Sequence, residues 1–192
     1  MRYGLQYATS GAPAVEPISS AAAKLHLRVD ISTDDTLIAA LITAARQKCE
    51  LYTRRQLITA TWQMTLDAFP DEEVIYVPRP PLQSVTSITY VDENGVVQTW
   101  TAALYRVDIA TEPGRITPAY GESWPSTRDV SAAVTVKYKA GYGDASTAVP
   151  SRFIAGMQLF LAVLYEHRDE VIVDIPEAVR NLWADPVWDE NQ

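Results

Sequence analysis

The chain has 192 residues, of which 47% are hydrophobic and 21% are charged, values typical of an ordinary globular protein. Its formal net charge is −8, and a surface of this sign repels phosphate groups. Composition therefore argues against a protein that grips nucleic acid or an anionic membrane. The single cysteine, Cys49, excludes an intrachain disulfide and a zinc site built from several cysteines.

The N-terminal part of the chain predicts an extended arm followed by two helices. Residues 1–16 lack hydrophobic periodicity and are rich in small residues and proline, so we expect an arm that a partner could order. Residues 17–30 predict a short helix, because Ser19 or Ser20 can cap it and three alanines follow. Residues 32–55 predict a longer helix, because apolar side chains recur there at helical spacing.

The middle of the chain predicts a β-rich domain. Apolar side chains alternate with polar ones in short runs between residues 58 and 140, as Trp62, Met64 and Leu66 do, which predicts six or seven antiparallel strands. Asn94 and Gly95 separate two such runs. This pair predicts a two-residue hairpin turn in which both residues take positive φ.

Helical periodicity returns in residues 149–170, and a shorter helix is predicted in residues 175–183. Neither the N-terminal nor the C-terminal helical pair has enough apolar surface for its own core. We therefore predict an α+β fold, in which two N-terminal and two C-terminal helices form a four-helix bundle, with an antiparallel β-rich domain inserted in the sequence between its two halves. The predicted boundaries are 1–16 for the arm, 17–56 and 148–184 for the bundle, 57–147 for the β domain and 185–192 for the tail.

The sequence offers no convergent set of catalytic or metal-binding side chains. The two histidines, His26 and His167, lack a second ligand at helical spacing, and no hydrolase or phosphate-binding motif is present. Cys49 lies on the apolar stripe of its helix and is expected to be a small buried residue. We accordingly predict that the protein is not an enzyme, with no catalytic residue, no cofactor and no metal.

Two sets of residues are candidates for contacts with other proteins. From Glu166 to Gln192 the chain carries eight acidic residues and two arginines, yet this segment also contains Trp183 and Trp188. These aromatic side chains either fold back on the helices or insert into another protein. Arg79 lies among prolines and either braces the hairpin or contacts a neighbouring subunit.

Several segments occur in an order that resembles one known family: "PISSAAAKLHLRVD", "DDTLIAALITAARQKCELYTRRQLITATWQMTLDAFP", "VPRPPLQSVTSITYVDENG", "PGRITPAYGESWP" and "VPSRFIAGMQLFLAVLYEHRD". Together, over roughly residues 17–170, they resemble the head–tail connector (adaptor) proteins of tailed bacteriophages and gene transfer agents. The resemblance implies a structural virion protein that forms a ring, usually of twelve copies, under the portal. Such a ring extends the DNA channel and docks the tail.

The resemblance also implies partners and a location. The partners are other copies in the ring, the portal protein, and a downstream tail or stopper protein, while double-stranded DNA passes through without specific binding and no membrane is involved. The protein is expected in the virion at the head–tail interface, after synthesis in the host bacterial cytoplasm. Another neck, tail-completion or tail-terminator protein is the alternative.

Connector family members commonly reach toward the portal with their C-terminal segments. This tendency leads us to expect portal-binding residues at Trp183, Pro186, Val187 and Trp188. Subunit contacts are expected at Arg79, Asn94 and Gly95.

Overall fold

The computed structural model describes residues 3–8, 13–71, 73–167 and 174–184. It confirms the α+β class, with antiparallel strands and four helices distributed along the chain. The elements in chain order are β1 (Tyr3–Tyr7), α1 (Ser20–Leu27), α2 (Asp35–Thr53), β2 (Ala60–Leu66), β3 (Ile75–Val77), β4 (Leu82–Val91), β5 (Val97–Trp100), β6 (Tyr105–Asp108), β7 (Gly114–Pro118), β8 (Val134–Ala140), α3 (Ser151–Glu166) and α4 (Glu177–Trp183).

The chain divides into two compact units, which are named here by their content. The β unit contains β1 and Thr59–Gly141, and the helical unit contains Pro13–Ile58 and the chain from Tyr142 onward. The segment Thr59–Gly141 is therefore inserted in the sequence between the second and third helices, whereas β1 precedes the first helix.

The β unit consists of two antiparallel sheets. The five-stranded sheet has the order β1-β2-β8-β4-β5, and the three-stranded sheet has the order β3-β7-β6. Side chains alternate along each strand as predicted. Met64 on β2 and Val136 on β8 are fully buried, while the residues next to each of them in the same strand point outward. The Tyr138 hydroxyl on β8 donates a hydrogen bond of 3.0 Å to the carbonyl of Pro78.

Part of the predicted N-terminal arm belongs to the five-stranded sheet. Strand β1 pairs with β2 from Tyr3 opposite Leu66 to Tyr7 opposite Trp62, and the rings of this second pair stack at 4.1 Å. The protein's own sheet thus orders these five residues without a partner. The alternation of Tyr3, Leu5 and Tyr7 is a period-two pattern that the sequence analysis overlooked.

The prediction of a two-residue turn at Asn94-Gly95 is wrong. Gly95 has φ +83°, but Asn94 does not have a positive φ. The backbone of Asp92 accepts a hydrogen bond from the Gly95 amide at 2.8 Å and donates one to the Val96 carbonyl at 2.9 Å. The hairpin of β4 and β5 therefore has a three-residue loop, Glu93 to Gly95, that ends in a left-handed glycine.

The Asp92 carboxylate accounts for this longer loop. It accepts hydrogen bonds of 2.9 Å from the backbone amides of Asn94 and Val96 and from the side chain of Gln98. The bond from Gln98, followed by those from the backbone, lowers the pKa of Asp92 below its usual range. The carboxylate of an aspartate before the turn thus accepts hydrogen bonds from the loop backbone, and these bonds stabilise a three-residue loop over a two-residue turn.

Replacement of Gly95 by alanine tests the backbone conformation of this loop. We expect Gly95→Ala to lower the free energy of unfolding by about 1–2 kcal/mol, because a Cβ atom disfavours the left-handed conformation. The added methyl group would also displace the Arg128 side chain, which is flexible and exposed. Urea unfolding gives the value. Asn94→Ala is the control and should change stability by less than about 0.5 kcal/mol; equal effects would contradict this loop geometry.

The helical unit has one hydrophobic core, to which all four helices contribute. The Ser19 side chain accepts a hydrogen bond from the Ala22 amide and caps α1, as predicted. Cys49 is fully buried, which confirms the prediction of a small buried residue, and this burial raises the pKa of its thiol. The large buried members of this core include Ile38, Ile42, Phe153, Met157, Phe160, Leu161, Val179 and Trp183.

Candidate interaction surfaces

Trp183 is a core residue of the helical unit, so its assignment to a portal-binding surface is corrected. The side chain is 0% exposed, and its ring lies 5.9 Å from Phe160 on α3 and 6.0 Å from Tyr52 on α2. The backbone of Gly156 approaches the indole so closely that a Cβ atom there would lie 2.8 Å from its Cδ1. Because α3 has a glycine at this position, α4 can pack its last residue against it.

The other three predicted portal-binding residues, Pro186, Val187 and Trp188, lie outside the described residues. Of the two alternatives for the aromatic segment, folding back therefore applies to Trp183. Portal contact stays a prediction for the segment that follows it.

Arg79 packs within the β unit. Its backbone is left-handed, with φ 63°, and its guanidinium carbon lies 5.4 Å from the ring centroid of Trp62. A cation over an indole face is a favourable arrangement. Arg79 thus packs on Trp62 of β2, while both earlier alternatives, bracing of the hairpin and contact with a neighbouring subunit, stay predictions.

The hairpin of β4 and β5 presents Asn94 and Gly95 at an exposed loop. The following residues, Val96 and Val97, are 54% and 68% exposed, and β5 is an edge strand of the five-stranded sheet. An exposed edge with apolar side chains is suited to protein contacts. The sequence analysis selected the loop and missed these two valines, although their adjacency breaks the alternation of the strand.

A buried ionic network lies in the helical unit, and the sequence analysis did not predict it. Arg46 on α2 is 2% exposed, and it contacts Glu16 at 2.7 Å and Glu50 at 2.9 Å. The other oxygen of Glu50 accepts hydrogen bonds from the Gln56 side chain at 2.8 Å and the Leu57 amide at 3.1 Å. Burial opposes the charge of Arg46, but the two carboxylates outweigh it and raise the pKa of Arg46.

This network is structural in its chemistry. The Arg46 and Glu50 spacing of four residues joins them on one face of α2, and the hydrogen bonds above satisfy both charged groups. The network fixes the chain before α1 and after α2 to the middle of α2. The sequence did contain one indication of this network, because Arg46 and Glu50 are a charged pair four residues apart within the apolar stripe of α2.

The described part of the chain contains no group of three or more histidine, cysteine, aspartate or glutamate side chains arranged to hold a metal ion. His26 on α1 and His167 after α3 are both exposed. Within the same residues, no helix combines the length and apolar character needed to cross a membrane.

The described residues form a helical unit that is interrupted in the sequence by strands of a β unit, and the five-stranded sheet of this β unit ends in the edge strands β1 and β5. The family model described as "Phage gp6-like head-tail connector protein" matches residues 21–101. This match confirms the predicted resemblance to head–tail connector proteins. No curated protein sequence matches the chain.

Solved structures of similar fold come from gene transfer agent particles. A chain of the "Virion of native gene transfer agent (GTA) particle" has a TM-score of 0.79 at 24% identity, covering 94% of this chain and 93% of that one. A chain of the "Neck of empty GTA particle computed with C6 symmetry" has a TM-score of 0.74 at 24% identity, covering 95% and 94%. A chain of the "Neck of native GTA particle computed with C12 symmetry" has a TM-score of 0.71 at 23% identity, covering 95% and 93%.

Proposed function

We propose that this protein is a head–tail connector, a structural subunit of the neck of a phage or gene transfer agent particle. The connector family match over residues 21–101 carries this proposal. The likeness in fold to chains of particle necks, which extends over both units, supports it. No catalytic step is part of the proposed function.

The proposed assembly is a closed ring of twelve copies, the number that the resemblance implies. Rotational symmetry in the similar neck structures supports a ring. A closed ring of identical subunits needs two different faces that match each other. In this proposal the helical unit acts as a four-helix bundle, and the β unit supplies a further surface of different chemistry.

The proposed neighbours are the portal protein on the capsid side and a tail or stopper protein on the other side. Double-stranded DNA passes through the ring, and no membrane takes part. Assembly occurs after synthesis in the host bacterial cytoplasm. The acidic net charge of −8 supports passage without retention, because like charges repel the phosphates.

Electron microscopy of particles tests this function directly. We expect density for this chain in the neck between capsid and tail, and we expect capsids without attached tails when the gene is deleted. Density at the tail tube instead would support the alternative of a tail-completion or tail-terminator protein. Normal tail attachment in the deletion strain would contradict the proposal.

Replacement of Trp188 by alanine tests the proposed portal contact of the C-terminal segment. An aromatic anchor at a protein interface contributes about 2 kcal/mol or more, so we expect binding to purified portal rings to weaken about thirtyfold. Biolayer interferometry measures this affinity. The matched control is Tyr120→Ala, since Tyr120 is 98% exposed on a loop of the β unit. Unchanged portal binding by Trp188→Ala would remove this segment from the interface.

A further inference from the structure

The outward face of the five-stranded sheet has a chemistry unlike the rest of the molecule. Its central strand, β8, presents Lys137 and Lys139, and both side chains are exposed. The strand register places Gln63 of β2 and Ser87 of β4 on either side of Lys137. The inward positions of the same strands are buried and apolar, so this face has one buried side and one open side.

The paired outward positions of β2, β8 and β4 carry positive charge without a carboxylate. Every outward position that the register pairs across β2, β8 and β4 is lysine, serine, threonine or glutamine. The whole chain has a net charge of −8, so two lysines without acidic neighbours in these strands form a local exception. Hydroxyl and amide groups surround them and add further hydrogen-bond donors.

This composition distinguishes between two kinds of partner. Lysine and serine are depleted in the cores of protein–protein interfaces. The same residues, with threonine and glutamine, are the side chains that contact phosphate oxygens of DNA. Residues two apart on a strand are separated by about 6.8 Å, which equals the axial rise of about two nucleotides along one DNA strand. Lys137 and Lys139 can therefore contact phosphates of the same strand.

We propose that this face, the lysine face, contacts the sugar-phosphate backbone of double-stranded DNA. The proposal rests on the proposed function, because a connector ring encloses the DNA path, and it assigns residues to that path. Two lysines on each chain provide a weak contact that does not depend on sequence. The acidic remainder of the chain opposes retention, so the face guides the duplex while DNA still moves.

A nuclear magnetic resonance titration of the full chain with a 12-base-pair duplex tests this proposal. At about 20 mM salt, we expect amide shifts on β8 and on the paired parts of β2 and β4. Each lysine–phosphate contact contributes about 0.9 to the slope of log K against log salt. Two contacts therefore predict about sixtyfold weaker binding at about 200 mM salt. Absence of shifts on β8 at low salt, or shifts centred elsewhere, would overturn the proposal.

The matched variants separate local contact from net charge. The double variant Lys137→Glu, Lys139→Glu should abolish the β8 shifts. The double variant Lys137→Gln, Lys139→Gln is the milder change, because it removes the positive charges without adding negative ones, and it should weaken binding at least tenfold. The control is Arg28→Glu with Lys48→Glu, which makes the same charge change at exposed positions of the helical unit. This control should keep the β8 shifts, and equal loss in both double variants would contradict a local contact.

Two further outcomes are distinguishable. Shifts of the same amides that depend on protein concentration, without any effect of DNA, would assign the face to a second copy of this chain and overturn the DNA contact. Particle images that place the chain in the neck, combined with no DNA-induced shifts, would overturn this inference and leave the proposed function intact.

Discussion

Trp183→Ala is expected to lower the free energy of unfolding by about 3–5 kcal/mol, the range for removing a buried aromatic side chain. Trp183 is 0% exposed and contacts Phe160 and Tyr52, so its loss leaves a cavity where three helices meet. Its indole N–H finds no acceptor among the described residues. Trp183→Phe should therefore cost much less, because it keeps the ring and removes an unsatisfied donor.

Urea unfolding followed by circular dichroism measures these differences. Tyr120→Ala is the control, since an exposed ring should change stability by less than about 0.5 kcal/mol. A loss below about 1 kcal/mol for Trp183→Ala would contradict the burial of this residue. It would return Trp183 to the list of possible portal contacts.

Glu50→Ala is expected to lower the free energy of unfolding by about 3–5 kcal/mol, because it removes one partner from a buried charge pair. Among the described residues, Arg46 would keep only Glu16 as an acidic partner, while the Gln56 side chain and the Leu57 amide would each lose one acceptor. The hydrogen bonds that buried donors lose, rather than the attraction itself, account for most of this loss.

An exposed ion pair in the same unit provides the comparison. Lys24 and Asp35 are 2.6 Å apart, but the Asp35 side chain is 50% exposed. Asp35→Ala should therefore cost less than about 1 kcal/mol, and that cost should shrink as salt is added. The effect of Glu50→Ala should depend little on salt. Similar losses from both variants would contradict a buried, satisfied network.

Local periodicity was sufficient to predict the helices and most strands. The apolar stripe of α2 and the alternation around Met64 each depend on neighbours in sequence, so each element can be predicted before the fold is known. The strand order could not be predicted in this way, because β8 lies between β2 and β4, which precede it by many residues. Pairing over such distances depends on tertiary packing rather than on a local pattern.

The candidate site residues show the same contrast between features that follow from local sequence and features that depend on tertiary packing. The exposed hairpin loop at Gly95 follows from local turn chemistry, although the capture of amides by Asp92 lengthened the loop. The burial of Trp183 depends on Gly156, which lies 27 residues earlier in the sequence, since 183 − 156 = 27. The lysine face could be identified only from the register of three strands. The alternation of Lys137 and Lys139 alone did not show that the outward positions paired with them hold no carboxylate.

The insertion of Thr59–Gly141 between the second and third helices in the sequence has a consequence for synthesis on the ribosome. Translation proceeds from the N-terminus, so α1 and α2 emerge first, but α3 and α4 emerge only after β8 is finished. The β unit has all its strands once Ala140 is made, whereas Ile38 and Ile42 wait for Phe153 and Trp183 to cover them. Nascent chains of this protein therefore expose the apolar surface of α2 for most of translation. A chaperone that binds apolar helix surfaces would have the most time to bind between the synthesis of α2 and that of α3 and α4.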